Sequence, residues 1–207
     1  MTPQPIGGET IIGEIVIDLH RYFCSGPTVK LVRDKYKKKS KPSVGDYGAL
    51  HVKGVGWVVL RVVGSNPSLL WGESESEPET DAYLVYVYSG VSSELPELPK
   101  SEVAPKLLLP PIIVHSSLWT EKFVTPLGPS KLLKSELLPV HCFWHCLDES
   151  DEGVDIENAM FQNEHGERLD SISLPCATLE LFFAQGVAEW LGTVLQDGFD
   201  QDSHPLS

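Results

Sequence analysis

The chain has 207 residues, of which 42% are hydrophobic and 22% charged, with a formal net charge of −13. That length suits one domain, residues 1–207, with a core of its own. The composition excludes a disordered chain or a disulfide-dense miniprotein, and a field of this sign repels nucleic acid.

The opening stretch, MTPQPIGGETIIGEIVIDL, has no basic segment leading into a long apolar core, so no signal peptide is read. No apolar run reaches the roughly 18 residues a membrane helix needs, so no membrane span is expected. Four cysteines (Cys24, Cys142, Cys146, Cys176) in a chain this long do not make a secreted disulfide framework. The expectation is a cytoplasmic protein with reduced, mostly inert cysteines.

GEIVIDLH, residues 13–20, alternates in the manner of a half-buried strand, with Ile15, Ile17 and Leu19 on one face. A basic run follows: Lys30, Arg33, Lys35, Lys37, Lys38, Lys39 and Lys41. Such a run is usually a solvated connection; a targeting or nucleic-acid patch is the weaker alternative. VGDYGALH and GWVVLRVVG, joined by a short turn at Gly54, predict a hairpin over about 44–64. GSNPSLLWGESESEPET, 64–80, is turn-rich and acidic and reads as a surface loop. DAYLVYVY, 81–88, is rich in β-formers and is expected near the centre of a sheet.

Residues 89–106, dominated by Ser, Pro and Glu, read as an extended loop. LLLPPIIVHSSLW, 107–119, is apolar but broken by Pro110 and Pro111, which lack the N–H a central strand needs. Short strand pieces with Trp119 packed inside are expected there. Ser130 to Leu138 predicts a short helix or turn, and Pro139 disfavours a helix running on into the next segment. NEHGERLD, ending at Asp170, has the form of a hairpin tip returning as a strand. ATLELFFAQGVAEWLGTVLQ, 177–196, places Leu179, Phe182, Phe183, Val187, Trp190, Leu191 and Val194 mostly on one helical face. The reading is an amphipathic helix appended over 174–198, capped near Thr178 and ended by Gly198.

HCFWHC, 141–146, is the most chemically loaded stretch. In a helix, His141 and His145, or Cys142 and Cys146, would lie one turn apart and could share a zinc ion. In a strand the same spacing separates them by roughly 13 Å at about 3.3 Å per residue. Phe, Trp and Cys suit a strand, and no strong helix former precedes Leu147. The strand reading wins, with Phe143 or Trp144 facing the core and no metal or other cofactor.

No G-x-S-x-G, H-E-x-x-H or P-loop pattern occurs, so the chain is read as a non-enzyme. The stretch DESDEGVDIE, 148–157, has a glycine at the sixth position of a calcium loop. It also has Ser150 at the third and Ala159 at the twelfth, where an EF-hand needs acids. From Glu136 to the end Arg168 is the only Lys or Arg, against many acids. Asp148, Glu149, Asp151, Glu152, Asp155 and Glu157 are therefore the candidate contact residues for a basic protein partner, with a merely solvated loop as the alternative.

Several segments, in order, resemble the bacterial immunity protein 26 family. KPSVGDYGAL with GWVVLRVVG resembles its opening hairpin, and DAYLVYVYSG its next strand. LLLPPIIVHSSLWTEKFVTPLGPSKLLKSELLPVHCFW resembles its Pro-Pro, Trp, Leu-x-x-His-x-Phe middle, and FQNEHGERLD its closing hairpin. The similarity runs from about Lys41 to Asp170, a β-rich core. The long acidic loop at 64–80 and the segment from Leu174 onward depart from the family pattern. The resemblance implies a cytosolic antidote that binds and neutralises a cognate toxin without chemistry, in a polymorphic toxin system. A nuclease toxin would present a basic cleft to it. A zinc-dependent or hydrolytic enzyme and an interaction adaptor are the alternatives from other classes. The expected fold is mainly β (α+β): a curved antiparallel sheet or half-barrel with one C-terminal amphipathic helix.

Overall fold

A computed structural model describes residues 29–33, 41–67, 81–99, 106–146, 149–150, 153–154, 159–169, 177–179 and 181–196. The strand expected at 13–20 and most of the 64–80 loop lie outside the described residues. The fold is mainly β: an open, curved sheet of six strands, a second sheet of three, a two-stranded hairpin and one long helix near the C-terminus.

The opening hairpin forms as the sequence predicts, with β1 Asp46–Val52 antiparallel to β2 Gly56–Ser65. Gly54 takes a φ of 81° in the turn, a left-handed conformation open to glycine without steric cost. β3 Ala82–Ser92 pairs with β2, and β4 Ile112–His115 pairs with β3. A single helical turn, α1 Ser117–Thr120, buries Leu118 and Trp119. The Trp119 indole meets the Tyr83 ring edge-on at 5.4 Å. β5 Val124–Pro129 returns along the other side of β1 and forms that edge of the sheet. Gly48 is needed where they meet, because a Cβ there would sit 2.3 Å from Val124 Cγ1.

After a 3-10 turn at Lys134–Glu136, β6 Phe143–Cys146 opens the three-stranded sheet. β7 Glu149–Ser150 and β8 Gly153–Val154 pair with each other, and β9 Ala159–Gln162 returns antiparallel to β6. The turn after β9 brings Arg168 back opposite Gln162, as the NEHGERLD pattern predicts. HCFWHC is thus extended chain, and both Phe143 and Trp144 are buried.

Two expectations change. The sheets are mixed rather than wholly antiparallel. β10 Ala177–Thr178 joins β6 in parallel, and β11 Leu181–Phe182 joins β4 in parallel. The helix consequently starts later than its apolar pattern suggests: α2 covers Ala184–Gln196, and Thr178 lies opposite Trp144 in a strand instead of capping the helix. Pairing with the exposed edge of β4 outweighs the helical periodicity of residues 181–182. It also sets the Phe182 ring against Trp190, with centroids 5.1 Å apart and planes at 22°. Val187, Leu191 and Val194 share the buried side of α2 with Trp190.

Register divides the six-stranded sheet into two faces. One carries Leu50, Leu60, Val87 and Val85, with Ile112 and Val114 beside them, all buried. The other carries a rung made by Tyr47, Arg61 and Tyr86, one residue from each of β1, β2 and β3. This second face is covered by residues 131–142, the crossover into β6, and there the core is polar.

Candidate functional site

The acidic stretch singled out in the sequence falls between β6 and β9. Cys146 pairs with Ala159, so residues 147–158 form one excursion from the end of that hairpin. Inside it Glu149 lies opposite Val154 and Ser150 opposite Gly153, so β7 and β8 make a small hairpin of their own. Asp148, Asp151, Glu152, Asp155 and Glu157 lie outside the described residues, and Glu149 is described by its backbone. All six belong by sequence to this excursion, which contains no Lys or Arg.

The other end of the β6–β9 hairpin, where β6 begins and β9 ends, is held by a buried polar cluster that the sequence reading missed. Arg61 is fully buried on β2. Its Nη1 donates to Glu136 Oε1 at 2.8 Å and its Nη2 to the Lys131 carbonyl at 3.1 Å. Its guanidinium lies 4.5 Å from the centre of the Tyr47 ring. Burial works against the charge, but the Glu136 hydrogen bond and the nearby Tyr47, Glu136 and Tyr88 groups outweigh it, so the Arg61 pKa is raised. The Arg61 hydrogen bond, opposed by desolvation, holds Glu136 below the usual carboxylate range. The Arg61 Nε meets no acceptor among the described residues.

Two residues beyond Leu84 on β3, Tyr86 carries the polar cluster onward. Its hydroxyl lies 2.6 Å from His141 Nε2 and accepts from the Leu138 amide at 2.8 Å. His141 Nδ1 is 3.0 Å from Glu164 Oε1, and the His141 amide donates to Glu164 Oε2 at 3.3 Å. The Nδ1 approach is not aligned for a hydrogen bond, so this contact is chiefly electrostatic. Burial acts to raise the Glu164 pKa, but its own backbone amide and the His141 contacts prevail and hold it lowered.

A carboxylate, an imidazole and a hydroxyl in sequence have the outline of a proton relay. Burial pushes the Tyr86 hydroxyl up to about 12, and Tyr88 is raised further by the same cause. Both phenols hold their protons at neutral pH. The same contacts make the cluster a clamp. It fastens the 131–142 crossover and the turn after β9 to the six-stranded sheet, and so holds the start of β6 and the end of β9, the end of the hairpin away from the excursion. The visible signal was Arg61, a lone cation in the apolar strand GWVVLRVVG, matched by tyrosines two apart in LVYVYSG.

His141 is therefore occupied by Tyr86 and Glu164, and the extended course of β6 carries His145 away from it along the strand. Cys142 corrects the expectation of reduced cysteines: it is buried and disulfide-bonded. Taken alone, each cysteine reads as a small buried hydrophobe, so its disulfide state is not legible in a short window of sequence. The basic run is partly neutralised within the fold, where Arg33 pairs with Glu121 and Lys41 with Asp81. No helix among the described residues is long and apolar enough to cross a membrane. No protein-family model, curated protein or solved structure matches this chain.

Proposed function

We propose that this chain is an immunity protein of the kind it resembles, a cytoplasmic antidote that binds a cognate bacterial toxin and blocks its active site without chemistry of its own. One observation carries the reading: six acidic residues and no basic ones fall on a single excursion between two paired strands. A basic cleft, such as that of a nuclease, is the complementary surface. A net charge of −13 would speed the encounter by long-range attraction. This reading involves no metal, cofactor, nucleic acid or membrane.

The test is association with the effector domain of the toxin encoded by the neighbouring gene. The association rate constant is expected to fall at least about tenfold as salt rises from about 20 to about 300 mM, because attraction between exposed charges is screened over that range. The paired change Glu149→Lys and Glu152→Lys should slow association at low salt and flatten its salt dependence. No capture of that domain removes the antidote reading. Capture at a rate indifferent to salt retains the antidote but removes the charge-guided contact.

A further inference from the structure

We propose that the disulfide at Cys142 is made with Cys176, and that it ties off the segment carrying the acidic excursion. Three cysteines are available as partners: Cys24, Cys146 and Cys176. Cys146 is excluded by the strand itself. Four residues of extended chain span roughly 13 Å at about 3.3 Å each, whereas a disulfide requires Cα atoms within about 7 Å. Between the other two, register decides. β10 runs parallel to β6 with Ala177 opposite Phe143 and Thr178 opposite Trp144. Continued back one position, past the described residues, the same register would bring Cys176 to Cys142. Neighbouring strands lie about 4.8 Å apart, inside the spacing a disulfide spans. Nothing comparable among the described residues brings Cys24 to β6.

The bond converts residues 142–176 into a covalent ring that holds β6, the acidic excursion and β9. Its formation takes a proton and an electron from each thiol. A small-molecule disulfide, such as oxidised glutathione, accepts the two electrons and two protons and leaves as two thiols. The reverse exchange opens the ring. The excursion is thus coupled to the thiol balance of its surroundings, and in a reducing cytoplasm the ring stands open more often. This holds whether or not the excursion binds a toxin.

Peptide mapping of the full chain, refolded with oxidised and reduced glutathione and digested without reductant, tests the pairing. A linked pair of peptides containing Cys142 and Cys176 is expected. A link from Cys142 to Cys24, or two free thiols at 142 and 176, overturns it. The effect on the excursion is read by glutamyl endopeptidase. Reductant should raise cleavage at Glu149, Glu152 and Glu157 about tenfold relative to cleavage at Glu94, which lies outside the ring. Cys176→Ser should cleave at the faster rate with or without reductant. Equal relative rates in oxidised and reduced protein would show that the bond does not restrain the excursion.

Discussion

Tyr86 shows how much of the structure rests on single hydroxyls. Its oxygen serves both the Leu138 amide and His141 Nε2, from positions more than fifty residues away in the chain. Tyr86→Phe leaves both without that partner in a dry setting. A loss of about 1–3 kcal/mol in unfolding free energy is expected from urea titration. Glu136 gives a different signature. It and Glu164 are both held below the ordinary glutamate value of 4.5 in the fold. On unfolding they return to it, so the unfolded chain takes up protons first. Their contribution to stability is complete above about pH 5 and is lost as pH falls below 4.5 through the folded values. Unfolding free energy measured against pH should therefore be level near neutrality and decline on the acid side. Glu136→Gln should start lower, because it leaves the Arg61 charge buried without its counter-ion. Its acid limb should also be shallower. An acid limb identical to that of the parent protein would show that the pair does not titrate as described.

Among the elements, those set by local pattern were legible and those set by distant partners were not. The Gly54 hairpin, the interior position of β3, the turn at 134–136, the extended course of HCFWHC and the hairpin ending in Arg168 all follow from alternation, turn residues and proline placement. The start of α2 does not. Residues 177–196 satisfy a helical pattern throughout, yet Leu181 and Phe182 pair with Ile113 and Val114 on β4. No short window of sequence contains that edge. The same holds for β10 beside β6. The polar cluster escaped for a related reason: its members come from β1, β2, β3, the crossover and the turn after β9, each ordinary where it stands. The Phe182–Trp190 stack is where the reassigned element is fixed. Trp190→Ala is expected to cost about 3–5 kcal/mol in urea unfolding. Phe183→Ser, whose side chain is 52% exposed, should cost under about 1 kcal/mol.

At the scale of the whole molecule, charge and architecture divide the work. The apolar face of the six-stranded sheet supplies burial, the opposite face supplies the clamp, and the acidic excursion leaves from the hairpin the clamp holds. The net charge was plain in the sequence, as were its bias toward the second half and the grouping of six acids within 148–157; the pairing of Cys146 with Ala159 adds that this stretch leaves from the end of a hairpin. The two edges of the large sheet bear on how copies of the chain meet one another. β5 includes Pro126 and Pro129, which carry no N–H, and β11 is two residues long. An incoming strand from another molecule finds donors missing along one border and almost no length along the other. Together with mutual repulsion between chains of charge −13, this disfavours edge-to-edge self-assembly, and the protein should stay dispersed as its concentration rises.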